Sequence, residues 1–229
     1  MVNVYDTNDA DWLIERVLRE IQFVSGKPRV LAIAGHAAVG KTSVALGLLR
    51  RVPNAVRLET ESCILGMRER LDRKASGCAI EAHDVSLYRR HVEDILDGRI
   101  VTFCKYDWKT RARTGDRVIT RLPPNGLLIL DGTISCHPEI AAYCDKVIFL
   151  KPTSYEDWLK FAIERDIRER WRTRSISLAE NQAKYLDAKI IEVTYADCIS
   201  ETVTVSIRSG KPSPQNLAFA FLAKEVDKI

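Results

Sequence analysis

No apolar run in this sequence approaches the ~18 residues that a membrane span needs. The N-terminal region also lacks the basic-then-apolar order of a secretory leader, carrying Asp6, Asp9, Asp11 and Glu15 instead. The expected location is the cytoplasm, with no membrane partner. Six cysteines (Cys63, Cys78, Cys104, Cys136, Cys144 and Cys198) include no C-x-x-C pair, which argues against a zinc site and a disulfide framework and leaves buried or surface thiols. Neither sign of charge dominates: the net charge of +4 is too small to argue for nucleic acid by itself. No repeat, low-complexity stretch or flexible linker marks a boundary, and 229 residues suffice for one α/β domain with a sizeable core but not comfortably for two. One domain over residues 1–229 is expected.

Strand-like and helix-like segments alternate along the chain. Helical spacing of Trp12, Leu13, Val17, Leu18 and Ile21 predicts a leading helix over about 9–25. Val30 to Ala34 is a short continuous apolar run of the kind buried on both faces of a parallel sheet. A helix over Thr42–Arg51, a turn at Pro53-Asn54 and a strand at Val56-Arg57-Leu58 follow. Leu87 to Leu96 reads as helix. Ile100–Phe103 and Arg117–Thr120 flank a basic, turn-rich segment that predicts an inserted hairpin over about 99–121. Leu127–Leu130 and Val147–Leu150 are two more buried-strand runs, Tyr155–Ile167 and a segment from Leu178 read as helices, and Asn216–Val226 has weak amphipathic spacing. The alternation predicts a doubly wound α/β fold with a parallel sheet.

Residues 35 to 42 read Gly-His-Ala-Ala-Val-Gly-Lys-Thr, matching every fixed position of G-x-x-x-x-G-K-[ST] between a predicted strand and a predicted helix. In this P-loop the glycines let backbone N–H groups point at phosphates, the helix start adds partial positive charge, Lys41 reaches the β- and γ-phosphates, and the Thr42 hydroxyl ligates Mg²⁺. The candidate nucleotide-binding set is Gly35, His36, Ala37, Ala38, Val39, Gly40, Lys41, Thr42 and Ser43. His36 is unusual there, and a lone imidazole is more often a spacer or phosphate neighbour than a catalyst.

The apolar strand ending at Asp131 reads as a Walker-B element holding Mg²⁺, or as an ordinary strand-end turn residue. Glu59 and Glu61 follow the second strand on the edge of the sheet where ligands of α/β proteins collect, so either is a candidate general base or a solvated loop residue. The candidate metal set is Thr42, Asp131 and Glu61. Lys160, Arg165, Arg168, Arg170, Arg172 and Arg174 form a basic run that reads as a lid over phosphates, or as a solvated helix laced with Glu164, Asp166 and Glu169. In the hairpin, Tyr106, Asp107 and Trp108 stand among Lys109, Arg111 and Arg113, suited to a planar or polyhydroxylated acceptor or, with thinner support, to nucleic acid.

These pieces, in this order and spacing from about Arg29 to Ser200, resemble the uridine kinase-like branch of the P-loop kinases, with its phosphoribulokinase-like and pantothenate kinase-like relatives. The motifs are the P-loop, Leu58 to Ser62, Asp84 before a helix ending Asp97-Gly98-Arg99, and Tyr106-Asp107 with Arg113. Leu130-Asp131-Gly132, Arg165-Asp166 with Glu169-Arg170, and Tyr195-Ala196-Asp197 complete them. The resemblance implies a P-loop kinase fold with an inserted β-hairpin and an arginine-rich lid over about 164–176. It places Glu61 where the family has its catalytic Asp, with Lys41, Arg165, Arg170 and Arg172 over the phosphates, and puts Asp84, Tyr106 and Arg113 on the acceptor side, where Glu59 and Arg111 are further candidates. It departs from the family at Glu61-Ser62-Cys63-Ile64, which lacks two aromatic groups, at Arg111 in place of an acceptor-side His, and at Trp171 in place of a lid Gly. These changes touch the acceptor pocket more than the triphosphate site.

The leading expectation is a cytoplasmic small-molecule kinase using ATP or GTP and Mg²⁺ on a nucleoside-like or other small alcohol. Its alternatives are a P-loop regulatory ATPase or switch, or a degenerate kinase acting through a partner. No nucleic-acid partner is expected, and the oligomeric state is open. Lys41→Ala is expected to abolish triphosphate-dependent turnover while the circular dichroism spectrum stays that of the parent, because the ammonium serves phosphate rather than the core.

Overall fold

Strands apolar at nearly every position must be covered on both faces, and the chain meets that demand by returning a helix to one side or the other after most strands. The computed structural model describes residues 4–7, 10–21, 27–119, 121–170 and 172–207. In chain order the elements are β1 (Val4–Thr7), α1 (Ala10–Glu20), β2 (Arg29–Gly35), α2 (Lys41–Arg51), β3 (Ala55–Glu59), α3 (Met67–Asp72), α4 (Val85–Leu96), β4 (Val101–Asp107) and β5 (Ala112–Ile119). These are followed by β6 (Leu127–Asp131), α5 (Pro138–Ala141), β7 (Lys146–Pro152), α6 (Tyr155–Arg170), α7 (Arg174–Thr194) and β8 (Glu201–Val205).

Six strands form a parallel sheet in the order β1-β8-β7-β2-β6-β3. β4 and β5 form a separate antiparallel hairpin with an irregularity between Cys104 and Lys105. On one face Leu31, Ile33, Leu127 and Ile129 pack with Leu13 and Ile14 of α1, Val44 and Leu48 of α2, and Trp158 and Ala162 of α6. On the other, Val30, Ala32, Ala34, Leu128 and Leu130 pack with Tyr88, Val92 and Ile95 of α4, Phe103 of the hairpin and Ile191 of α7. This is the doubly wound α/β arrangement with a parallel sheet that the alternating segments predicted.

Because β2 is apolar towards both faces, alternation alone cannot fix its register. Close backbone approaches at the strand ends supply that information. Gly35 (φ 127°) lies so near β7 that a Cβ would run into the Leu150 carbonyl oxygen, and Gly132 (φ 147°), just after β6, leaves room for the Thr60 side chain.

Several boundaries differ from the sequence expectation. The helix expected from Leu178 begins at Arg174, because Thr173 caps it by accepting from the Ile176 N–H at 3.4 Å. α6 runs on to Arg170, past the expected stop at Ile167. β1, α3 and β8 were not anticipated; β8 reads Glu-Thr-Val-Thr-Val, a polar-rich strand with no long apolar run. The expected leading helix covers Ala10–Glu20, and its stretch beyond residue 21, the lid position Trp171 and the Asn216–Val226 segment lie outside the described residues.

Gly132→Ala is expected to cost about 2–5 kcal/mol, since it adds a side chain at a φ/ψ pair that only glycine adopts readily and collides with Thr60. A urea titration should show a lower midpoint at unchanged slope.

Candidate functional site

The loops of interest gather at the C-terminal edge of the sheet, where open α/β proteins bind ligands. After Gly35 the chain crosses β7, with the His36 N–H donating to the Leu150 carbonyl at 3.0 Å. It then uses left-handed conformations at Ala38 (φ 60°) and Gly40 (φ 91°) to enter α2. Gly40 is the N-cap and offers no side chain, so the first-turn N–H groups of α2 have no side-chain acceptor from the cap residue. Lys41 folds back over the loop, its Nζ donating to the carbonyls of His36 (2.6 Å) and Gly35 (3.1 Å).

His36 turns into the protein. Its ring is 1% exposed and packs against Tyr185, Phe149 and Trp158 at centroid separations of 4.7, 5.9 and 6.4 Å. Neither ring nitrogen has a hydrogen-bond partner among the described residues. Burial drops its pKa to about 3, so the imidazole is a neutral packing group behind the loop. Trp158 Nε1 donates to the Ala37 carbonyl at 2.6 Å, tying α6 to the same loop.

Asp131, 2% exposed at the end of β6, accepts from the Thr42 hydroxyl at 3.0 Å through Oδ2. The hydroxyl and the carboxylate are the oxygen ligands that suit Mg²⁺, which takes few protein ligands and fills the rest of its shell with water and phosphate. The donor set therefore fits the metal that the P-loop implies. Arg57, in the middle of β3, was not anticipated as a site residue: its Nε and Nη2 lie 3.0 and 2.5 Å from the same Asp131 oxygen, and Nη1 lies 2.7 Å from Glu59 Oε1. Burial works against the guanidinium charge, but Asp131 and Glu59 outweigh it and hold the pKa above its ordinary value. The available signal was a charged residue inside an otherwise apolar strand, two positions before Glu59.

Glu59 and Glu61 thus differ in circumstance. Glu59 is paired with Arg57. Glu61, in the short 3-10 turn Thr60–Cys63, has no ion-pair partner among the described residues, and burial with Asp131 and Glu59 nearby pushes its pKa to about 7 against the pull of Lys41. Ser62 is used structurally, its hydroxyl donating to the Glu59 carbonyl at 2.7 Å.

The hairpin and the α6–α7 corner face each other across Trp108. Asp166 is fully buried and gathers Arg165 (2.8 Å), Arg170 (3.2 Å), Lys184 (3.6 Å) and Arg172 (3.8 Å), with Asn181 Nδ2 donating at 3.1 Å. Despite its burial, Arg165, Lys184 and Arg170 hold its carboxyl well below the usual range. The basic run is therefore organised around a buried carboxylate at Arg165, Arg170 and Arg172, and is solvated at Arg168, which pairs with exposed Glu169. Arg170 lies 4.8 Å over the Trp108 ring and Arg172 donates to the Trp108 carbonyl at 3.2 Å. Arg111 pairs with Glu180, Arg113 donates to the Ile64 carbonyl (2.9 Å), and Tyr106 accepts from Arg70. Asp84 instead caps α4, accepting from the Leu87 N–H at 2.8 Å. Arg57, Arg70 and Lys184 are the residues that sequence reasoning passed over.

A three-layer parallel α/β fold with this loop, a hairpin and an arginine-bearing helical corner is that of the P-loop kinases. No family model matches the chain. A uridine kinase of Brevibacillus brevis is 24% identical over 183 residues, covering 76% of this chain and 85% of that one. A uridine kinase of Halobacterium salinarum is 25% identical over 147 residues, 62% of this chain and 64% of that one. Among solved structures, a candidate fructose transport system kinase from Silicibacter superposes with a TM-score of 0.68 at 16% identity, covering 86% of this chain and 98% of that one. The likeness is to the uridine kinase-like branch of the P-loop kinases, and the fold is theirs.

The buried imidazoles make stability depend on acid. An unfolded histidine takes a proton near pH 6.5, whereas His36 does so at about 3 and His83 at about 4. Their contribution is complete above about pH 6.5 and is lost as pH falls, because the unfolded chain then binds more protons. Urea unfolding of the parent and His36→Phe between about pH 7.5 and 4.5 should give a shallower acid loss for the variant. The difference isolates His36 from Glu61, whose raised pKa acts in the opposite direction.

Proposed function

We propose that the protein is a small-molecule kinase that transfers the γ-phosphoryl group of ATP or GTP to a hydroxyl of a small acceptor, in a cytoplasmic setting and with Mg²⁺. The observation that carries the reading is the convergence at one sheet edge of the Gly35–Thr42 loop, the Thr42–Asp131 contact and the unpaired carboxylate of Glu61. The uridine kinase relatives and the kinase neighbour support the coarse activity.

In this reading the loop N–H groups and Lys41 hold the β- and γ-phosphates, exchanging the carbonyl contacts of Lys41 for charged oxygens. Thr42 and Asp131 would hold Mg²⁺, which when bound neutralises phosphate charge. Glu61 takes the proton from the acceptor hydroxyl as its oxygen bonds to the γ-phosphorus and the bond to the nucleoside diphosphate breaks; a carboxylate titrating near 7 suits a base working near neutral pH. Arg165 and Arg170 neutralise charge on the moving phosphoryl group, and Asp166 keeps their side chains in place. The hairpin residues Tyr106, Arg111 and Arg113 form the acceptor side.

One observation favours the alternative of a nucleotide-binding switch: Arg57 already places a cation on Asp131, which lessens the demand for metal there. The two are separated by measuring phosphorylated acceptor at saturating nucleotide. Glu61→Gln should lower product formation by roughly 10²–10⁴-fold with triphosphate binding little changed, and Glu59→Gln should lower it by less than about 10-fold. Parent-like product from Glu61→Gln would remove Glu61 as the base, and acceptor-independent hydrolysis alone would favour the switch.

A further inference from the structure

The charge on the acceptor side exceeds what the nucleotide can use. In addition to the three lid arginines, Arg70 and Lys184 stand over Trp108, and Arg111 and Arg113 are on the same hairpin. Arg70 is 6% exposed, lies 5.5 and 5.9 Å over the Tyr106 and Trp108 rings, and leaves its Nε without a partner. Lys184 is 4% exposed, lies 5.8 Å over the Trp108 ring, and its Nζ makes no hydrogen bond, standing 3.6 Å from Asp166 and 3.9 Å from Glu180. Arg113 sits directly across the hairpin from Tyr106 and reaches the turn after Glu61, meeting a carbonyl oxygen rather than a carboxylate. The carboxylates in ion pairs with this cluster are Asp166 and Glu180, each shared among several cations. If Arg165, Arg170 and Arg172 are assigned with Asp166 to the triphosphate, Arg111 and Lys184 share Glu180, while Arg70 and Arg113 make no ion pair among the described residues. Charged groups this deeply buried are stable when opposed, and an ammonium with no hydrogen-bond acceptor within reach is costly.

The side chains of this corner are rich in donors: guanidinium and ammonium groups over an aromatic floor, with the Tyr106 hydroxyl accepting from Arg70 and the Asp166 and Glu180 carboxylates already engaged by cations. Asp84, the carboxylate expected on the acceptor side, uses Oδ1 to cap α4. A neutral polyol needs acceptors as well as donors, whereas a corner with more cations than carboxylates matches an anion.

Resting on the kinase reading, we infer that the acceptor is itself anionic: a small alcohol carrying a phosphate or carboxylate that is held by Arg113, Arg70 and Lys184 beside Trp108, with its hydroxyl directed at Glu61. The anion supplies opposing charge to buried Arg70 and exposed Arg113, which make no ion pair among the described residues, and a hydrogen-bond acceptor to the Lys184 ammonium. Charge-assisted contacts at the far end of the acceptor then fix which hydroxyl meets the γ-phosphate.

The test is calorimetric titration of the full chain, with Mg²⁺ and a non-hydrolysable triphosphate analogue, against matched probes: glycerol, glycerate and glycerol 3-phosphate; fructose and fructose 6-phosphate; uridine and uridine 5′-monophosphate. An anionic member should bind at least about 10-fold tighter than its neutral partner. Glycerate against glycerol 3-phosphate separates carboxylate from phosphate. Arg113→Ala, a change at an exposed position, should weaken the anionic probe by about 10- to 100-fold and leave analogue binding unchanged, and Arg113→Lys should restore part of the loss. Equal or tighter binding of the neutral members, no binding of any anionic member, or an Arg113→Ala variant with parent affinity would overturn the inference. Replacing the analogue with ATP separates the two readings. Anion binding without phosphorylated product refutes the kinase and keeps the anion site, whereas product from neutral acceptors alone keeps the kinase and refutes the anion site.

Discussion

Where β2 ends, the chain passes so close to the Leu150 carbonyl that a side chain at Gly35 has no room, and the rest of the edge follows from that crossing. It aims the loop across the sheet, brings the N-terminus of α2 to the edge with no capping side chain, and sets Thr42 beside the end of β6. A second close approach, Gly132 against Thr60, brings the turn after β3 alongside Asp131. Glu59, Glu61 and Asp131 become neighbours because two glycines let backbones meet, and burial at this edge, reinforced by repulsion from the other two carboxylates, shifts Glu61 upward. The electrostatics of the edge are a by-product of its sterics.

Two buried carboxylates, Asp131 and Asp166, are each opposed by arginine rather than left to water. Removing either partner of such a pair is costly because the other is then buried and unopposed, so each pair works as a locator more than as a source of net stability. Asp131 and Arg57 join β6 to β3 across the edge of the sheet. Asp166 joins α6 to α7 and, through Arg170 and Arg172, both helices to Trp108 of the hairpin. The corner around Trp108 is thus assembled from segments far apart in sequence by Asp166, with Glu180 holding Arg111 and Arg172 beside it.

What was legible in the sequence was what is local. The P-loop was fully readable because each fixed position carries its own chemistry, and Asp131 because a carboxylate ended an apolar run. Arg57 was opaque: a charge inside a strand reads as exposure unless the carboxylate of the neighbouring strand is known. Asp166, set among Arg165, Ile167 and Arg168, has the look of a solvated helix residue, and only the packing of α7 against it makes it buried. Lys184 is hidden for the same reason, being one helical lysine among several until Trp108 covers it. The start of α7 was misplaced by a few residues because the Thr173 cap stands just behind a run of arginines, where the charge pattern drew attention from the hydroxyl.

α6 touches the loop at one end and the corner around Trp108 at the other. Trp158 holds the Ala37 carbonyl, and Arg170 lies over Trp108 twelve residues further on. At ~1.5 Å per residue that stretch is a stiff rod of about 18 Å, so a pivot of about ten degrees at Trp158 carries Arg170 through roughly 3 Å. The helix is a lever whose fulcrum, the fully buried Trp158, is fixed by core packing as well as by its indole hydrogen bond. Of the four cations around Asp166, Arg165 and Arg170 ride on α6 itself, so Arg172 and Lys184 are the ones that tether the far end of the arm to the segments beyond it.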